Sequence, residues 1–94
     1  MSASALSWAW KQKTGSPVAK FVLFILGDNA NDDGLTRASV DDISRVTELP
    51  PENVRKCLQT LEQKGLLRPA PEMDEEFPHE GQNWFELNVY GGGA

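Results

Sequence analysis

Polar side chains that can recognise a DNA base occur along the segment from Pro51 to Lys64. The amides of Asn and Gln pair with adenine and the guanidinium of Arg pairs with guanine, each good pair contributing about 1–3 kcal/mol of discrimination. If the segment is a helix with one side free, five side chains are placed to enter the major groove: Asn53, Arg55, Lys56, Gln59 and Thr60. Four others would contact the DNA backbone and set the register: Arg37, Ser39, Lys64 and Arg68. The alternative interpretation is a polar helix side that faces only water.

Acidic residues are concentrated in the last quarter of the chain. The formal net charge is −5, and from Pro69 onward there are six acidic residues and no basic one: Glu72, Asp74, Glu75, Glu76, Glu80 and Glu86. DNA-binding domains usually carry a positive excess, so this segment would have to point away from a duplex. It also allows a second function, in which Glu72, Asp74, Glu75 and Glu76 bind a basic protein partner in the manner of DNA phosphates.

Residues suited to catalysis or metal binding are few. His79 lies among carboxylates in the acidic segment, but a single His without regularly spaced ligands does not predict a divalent-metal site. Cys57, the one cysteine, falls on the apolar side of a predicted helix, and the chain has no phosphate-binding glycine loop or nucleophile arrangement. The sequence therefore predicts neither an enzyme nor a metal or other cofactor.

Two amphipathic helices joined by a tight turn must position the polar residues. The second runs from about Pro51 to Lys64, ends before Gly65, and has an inner stripe of Val54, Cys57, Leu58 and Leu61. The first begins at Ser39 as its N-cap, and its inner side is formed by Ile43, Val46 and Val40. A residue that precedes proline is pushed out of helical geometry, so the turn falls at Glu48 to Pro51.

The N-terminal half supplies a scaffold. Trp8 and Trp10 are two residues apart, which favours a short strand or irregular arm that closes the core or forms part of a homodimer surface or a partner site. Ser16 and Pro17 start a helix that continues to about Ala30, and its continuous apolar run predicts burial on more than one side. A turn at Asn31 to Gly34 and a short extended link at Leu35 to Ala38 follow.

A hairpin completes the predicted domain. Leu66 to Pro69 and Asn83 to Val89 predict two strands joined by a solvated acidic loop. The expectation is one α+β domain spanning residues 1–90, followed by a flexible tail at Gly91 to Ala94. The longest apolar run, Phe21 to Leu26, is far too short for a membrane span, and no secretory signal is evident, so a cytoplasmic protein is expected.

The order of these elements and several residues resemble a known family. Over residues 6–68 the chain is similar to the winged-helix domains at the N-termini of phage and plasmid replication proteins and related prophage regulators. The matching residues are Ser39, Val40, Ile43, Leu49, Asn53 to Lys56, Leu58, Leu61 and Gly65 to Leu67. The resemblance implies a winged helix-turn-helix fold, with a three-helix core and a two-stranded β-hairpin wing. It also implies binding to double-stranded DNA in replication initiation or transcriptional regulation.

The chain departs from this family at the turn before the second helix. Glu48 replaces the usual Gly, Pro50 replaces the usual Ser cap, and Pro51 follows it. Glu52 adds a negative charge where base or phosphate contacts usually fall. Proline has no N–H to offer a phosphate, so all of these changes reduce the expected attraction for DNA.

Overall fold

The computed structural model describes residues 3–73 and 82–90. Helices and strands are mixed along the chain, and the sheet is antiparallel, so the predicted α+β class is confirmed. The elements in the described residues are α1 (Ala3–Lys11), α2 (Pro17–Asn29), β1 (Leu35–Ala38), α3 (Val40–Thr47), α4 (Pro51–Gln63), β2 (Leu67–Pro69) and β3 (Asn83–Leu87). None of the helices in these two ranges has the length and apolar composition needed to cross a membrane.

The helix α2 lies at the centre of the domain, as predicted. The Ser16 hydroxyl accepts a hydrogen bond from the Ala19 N–H (3.3 Å), and Pro17 occupies the first turn. The inner side of α2 packs against α1, α3, α4 and β1 through Ala19, Val22, Leu23, Leu26 and Gly27. The prediction that α2 is buried on more than one side was wrong, because Phe21 and Val18 remain 45% and 39% exposed.

The segment predicted as an arm or strand is the helix α1. Ala5 and Ala9 lie one turn apart and are buried, and a side chain at Gly27 would meet the Ala5 carbonyl oxygen at 3.1 Å. Small residues therefore let the axes of α1 and α2 approach closely, which a pattern centred on two Trp residues does not indicate. Trp8 packs on the core, whereas Trp10 is 67% exposed.

The two predicted strands, β2 and β3, pair antiparallel, but the sheet has a third strand that was not predicted, in the order β1-β3-β2. The predicted link at Leu35–Ala38 is β1, and it pairs with β3 in a register that sets Arg37 opposite Trp84. Buried Leu67 and Leu87 face each other across β2 and β3 and close the core below the helices. The pairing of β1 was missed because its partner lies 47 residues away in the chain.

The predicted pair of helices is present as α3 and α4. The Ser39 hydroxyl accepts a hydrogen bond from the Asp42 N–H (3.0 Å), and Ile43 is buried. Val46, predicted on the inner side, is 57% exposed, because the inner position one turn after Ile43 belongs to Thr47. Thr47 is buried, and its hydroxyl donates to the Ile43 carbonyl (2.6 Å).

The turn between α3 and α4 has an unusual backbone. Glu48 ends α3 with φ 61°, in the left-handed region that glycine adopts most easily. Pro50 stands at the N-cap of α4 and makes no side-chain capping bond. Gly65 (φ 74°) ends the segment, and the Leu66 N–H donates to the Leu61 carbonyl (3.0 Å), as expected for a glycine that closes a helix.

Candidate nucleic-acid interface

The outer side of α4 is polar and exposed. Val54, Cys57 and Leu61 hold the inner side of the helix against the core. With 100° between successive residues, Arg55 and Gln59 then point away from the core, and Lys56 lies beside them. Asn53 and Thr60 lie on one flank of the same helix. Arg55, Lys56, Gln59 and Asn53 are exposed, and Thr60 is half-buried.

The two cations of this surface form no ion pair with a described residue. In the part of the chain that the structure describes, the ion pairs join Arg45 to Asp42 and Arg68 to both Glu72 and Glu86. Arg55 and Lys56 take part in none of these pairs. Their positive charges are therefore available to an anionic partner, although exposed Glu52 and Glu62 on the same helix reduce the local potential.

A groove of about 380 Å³ runs between α4 and the sheet. Arg55, Lys56 and Gln59 line it on the helix side, and Leu67 and Phe85 line it on the strand side. The groove is open, and Glu62 also lines it on the helix side, so it carries charges of both signs beside apolar side chains. It joins the polar side of α4 to the strands and makes them one continuous surface.

The four residues predicted to contact the DNA backbone do not form one cluster. Exposed Arg37 stacks on Trp84, with the guanidinium carbon 5.5 Å from the ring centre. The Ser39 hydroxyl caps α3, and exposed Lys64 directly follows α4. By the register of the strands, Arg37 and Arg68 share the outer face of the sheet, so they are not part of the outer side of α4.

Arg68 is the most strongly engaged cation among the described residues. Its guanidinium donates to the carboxylates of Glu72 and Glu86, both at 2.7 Å. The pKa of Arg68 is raised, first by Glu72 and then by Glu86, and the hydrogen bond from Arg68 lowers the pKa of Glu72. Arg68 and the one described member of the predicted acidic partner site therefore compensate each other.

The rest of the acidic segment lies outside the described residues. This applies to Asp74, Glu75 and Glu76, and to His79 with Glu80. The described ranges contain no group of three or more His, Cys, Asp or Glu side chains that could hold a metal ion. Burial raises the pKa of the Cys57 thiol, which keeps it protonated and unreactive.

One positioning contact has no signal in the sequence. The Gln82 side chain donates to the Asp42 carboxylate (2.9 Å), and the same carboxylate pairs with Arg45 (2.6 Å). The pKa of Asp42 is lowered, first by Gln82, then by Ser39 and Arg45. The contact ties the first turn of α3 to the start of β3, and its partners are 40 residues apart.

Comparison of the chain with protein-family models, curated proteins and solved structures found no match. The choice among functions therefore depends on the geometry and charge of the described surfaces.

Proposed function

We propose that this protein is a winged helix-turn-helix domain that binds double-stranded DNA through α4, in phage- or plasmid-type replication initiation or transcriptional regulation. The order α2, β1, α3, α4, β2, β3 supports the fold, as does an antiparallel sheet in which the last strand lies between the other two. The observation that carries the function is the outer side of α4, where Arg55 and Lys56 have no acidic partner among the described residues.

Four polar residues of α4 and Lys64 after it have distinct roles in this proposal. A helix of 13 residues is about 20 Å long, and its diameter of about 10–12 Å matches the major groove of B-DNA, which is about 12 Å wide. Arg55 pairs with guanine and Gln59 with adenine, while Asn53 reads a base at the flank. Lys56 contacts a phosphate, and Lys64 does so at the far end of the helix.

The turn before α4 makes side chains the main source of affinity. Because Pro50 and Pro51 have no N–H, the helix start offers fewer backbone donors to a phosphate than a Ser-capped helix does. Glu52 in the first turn repels a phosphate placed there. Binding should consequently depend on Arg55 and Lys56 and decrease steeply as salt is added.

The other candidate is a protein-interaction module whose acidic segment binds a basic partner. The net charge of −5 favours it. However, the carboxylate of Glu72 is already paired with Arg68, so a basic partner would first have to displace an internal cation. DNA binding needs no such displacement at Arg55 or Lys56, and we place it first.

The decisive experiment is a titration of a fluorescent mixed-sequence duplex at several salt concentrations. Arg55→Ala/Lys56→Ala should weaken binding about 10- to 100-fold and reduce the slope of log K against log salt by about 2, one unit per lost cation. The matched control is Lys11→Ala/Lys13→Ala, which removes the same charge from exposed positions at the end of α1 and beyond it. Its slope should equal that of the wild type.

Two outcomes would reject DNA binding through α4. One is the absence of any interaction at low salt by a protein that circular dichroism shows to be folded. The other is an equal loss of affinity and slope in both double variants, because this would mean that net charge alone, and not the surface of α4, determines the attraction.

A further inference from the structure

The outer side of α2 is apolar from Pro17 to Ile25, and the exposed charge of Asp28 follows it in the last turn. The inner residues of this helix meet the core, so the helical period turns Pro17, Val18, Phe21, Phe24 and Ile25 away from it. Phe21 is 45% exposed and Val18 39%, while Phe24 and Ile25 are half-buried. A helix on the surface of a monomer normally presents charged and polar residues on this side.

The helix α1 extends the same surface. Trp10 is 67% exposed, and its ring centre lies 5.3 Å from that of Phe24 at a tilt of 58°. At about 200 Å² for a whole aromatic side chain, the exposed parts of Trp10 and Phe21 amount to roughly 200 Å². With the neighbouring aliphatic atoms, this α2 patch (Trp10, Val18, Phe21, Phe24 and Ile25) reaches about 300 Å², the size of the largest apolar patch on a typical monomer, which is often functional.

We infer that a second copy of this chain covers the α2 patch, with the two α2 helices antiparallel about a two-fold axis near Phe24. The charges that flank the α2 patch favour a second copy as the partner. Lys20 and Asp28 lie four residues before and after Phe24, so an antiparallel arrangement brings Lys20 of each copy near Asp28 of the other. Within the described residues neither charge has an ion-pair partner; the Lys20 ammonium donates to the carbonyls of Trp10 and Gln12.

The proposed dimer leaves the DNA-binding candidate surface open. The helix α2 packs on α4 through its inner side, so the α2 patch and the outer side of α4 are on different sides of the domain. The inference comes from the apolar surface and its charges alone, and it does not require that the protein bind DNA.

The size of the α2 patch sets the strength of the association. Two patches together bury about 600 Å² of apolar side chain, which is less than the roughly 1,200 Å² typical of a stable specific interface. The dimer should therefore be weak and reversible, with a dissociation constant of about 10–100 μM.

The test is sedimentation velocity of the whole chain without DNA, from about 5 μM to about 500 μM. The wild type should change from monomer to dimer across this range, and Phe21→Glu should remain a monomer, with at least a tenfold higher dissociation constant. Val46→Glu is the matched control, because Val46 is also an exposed aliphatic residue, at 57%, but lies on α3. Its dissociation constant should equal that of the wild type.

A second variant keeps the test decisive if Phe21→Glu does not fold. Asp28→Lys changes one exposed residue and sets like charges opposite each other twice in the dimer, so it should raise the dissociation constant about three- to tenfold. A wild type that stays monomeric at 500 μM would overturn the inference and assign the patch to a different protein. Dimers that tolerate both Phe21→Glu and Asp28→Lys, or that Val46→Glu disrupts as strongly, would also overturn it.

Discussion

The helices α2 and α4 are alike in length and in how they pack on the core, but α2 exposes apolar side chains and α4 exposes polar ones. Each has 13 residues, each begins with a proline, and each buries an apolar inner side in the same core. The outer side of α2 carries Phe21 and Val18, whereas that of α4 carries Arg55 and Lys56. The inner sides explain the fold, whereas the outer sides carry the two proposals: α2 would meet a second copy of the chain, and α4 would meet DNA.

The two helices also begin differently. Gly15 precedes α2 with φ 77°, and Ser16 caps it through a side-chain hydrogen bond. Glu48 precedes α4 with φ 61°, and Pro50 provides no such bond. The scaffold helix therefore has the well-satisfied start, and the helix proposed to contact DNA has the strained one. Three variants test this contrast.

Gly27→Val should have the largest effect, because it separates α2 from α1. The new side chain would meet the Ala5 carbonyl at about 3.1 Å, and backbone cannot move aside as a flexible side chain does. We expect a loss of about 3 kcal/mol in the free energy of unfolding, measured by urea denaturation. Gln63→Val, an exposed change at the end of α4, should cost no more than about 0.5 kcal/mol. Equal losses would show that the close α1–α2 contact is not important for stability.

Ser16→Ala should cost about 1 kcal/mol, because it removes the acceptor for the Ala19 N–H at the start of α2. For a chain of this length the melting temperature should decrease by about 4–8 °C. The control is Ser7→Ala on the exposed side of α1, where no side-chain hydrogen bond is found in the described structure. A melting temperature unchanged by Ser16→Ala would mean that α2 is held by packing alone.

Glu48→Gly should have the smallest effect, and in the opposite direction. Glycine relieves a left-handed conformation that costs other residues about 1–2 kcal/mol, but it also raises the entropy of the unfolded chain. We expect a net gain of about 0.5 kcal/mol in chemical denaturation. The substitution also removes a negative charge near α4, so duplex affinity should increase slightly under the DNA-binding proposal. A loss of stability would show that the Glu48 side chain stabilises the turn.

Local signals predicted much of the fold. Ser16 and Ser39 cap their helices, Gly65 ends the α4 segment, and the turn between α3 and α4 begins at Glu48 and includes Pro50, as expected. Each of these features depends on residues within about four positions of one another, so the pattern alone is enough to find them. Predictions failed where the signal is absent or misleading. The two Trp residues of α1 suggested a strand, although its buried residues are alanines. On α3, Val46 was predicted on the inner side, which Thr47 occupies.

The candidate site likewise has features that local sequence predicts and features that it does not. The exposure of Arg55, Lys56 and Gln59 follows from the helical period, because the apolar stripe of α4 defines its opposite side. The state of Arg68 does not follow, since one of its two carboxylate partners, Glu86, is 18 residues away across the sheet. The contact between Gln82 and Asp42 is more remote still, with its partners 40 residues apart.

By itself, therefore, the sequence determined which segments become α2, α3 and α4 and which side of α4 is polar, because capping and helical periodicity act over a few residues. Only the tertiary structure decided that Leu35–Ala38 joins a sheet, that Arg68 is neutralised, and that one side of α2 stays uncovered. These outcomes depend on which distant segments meet, and that is set by how the whole chain fills its core.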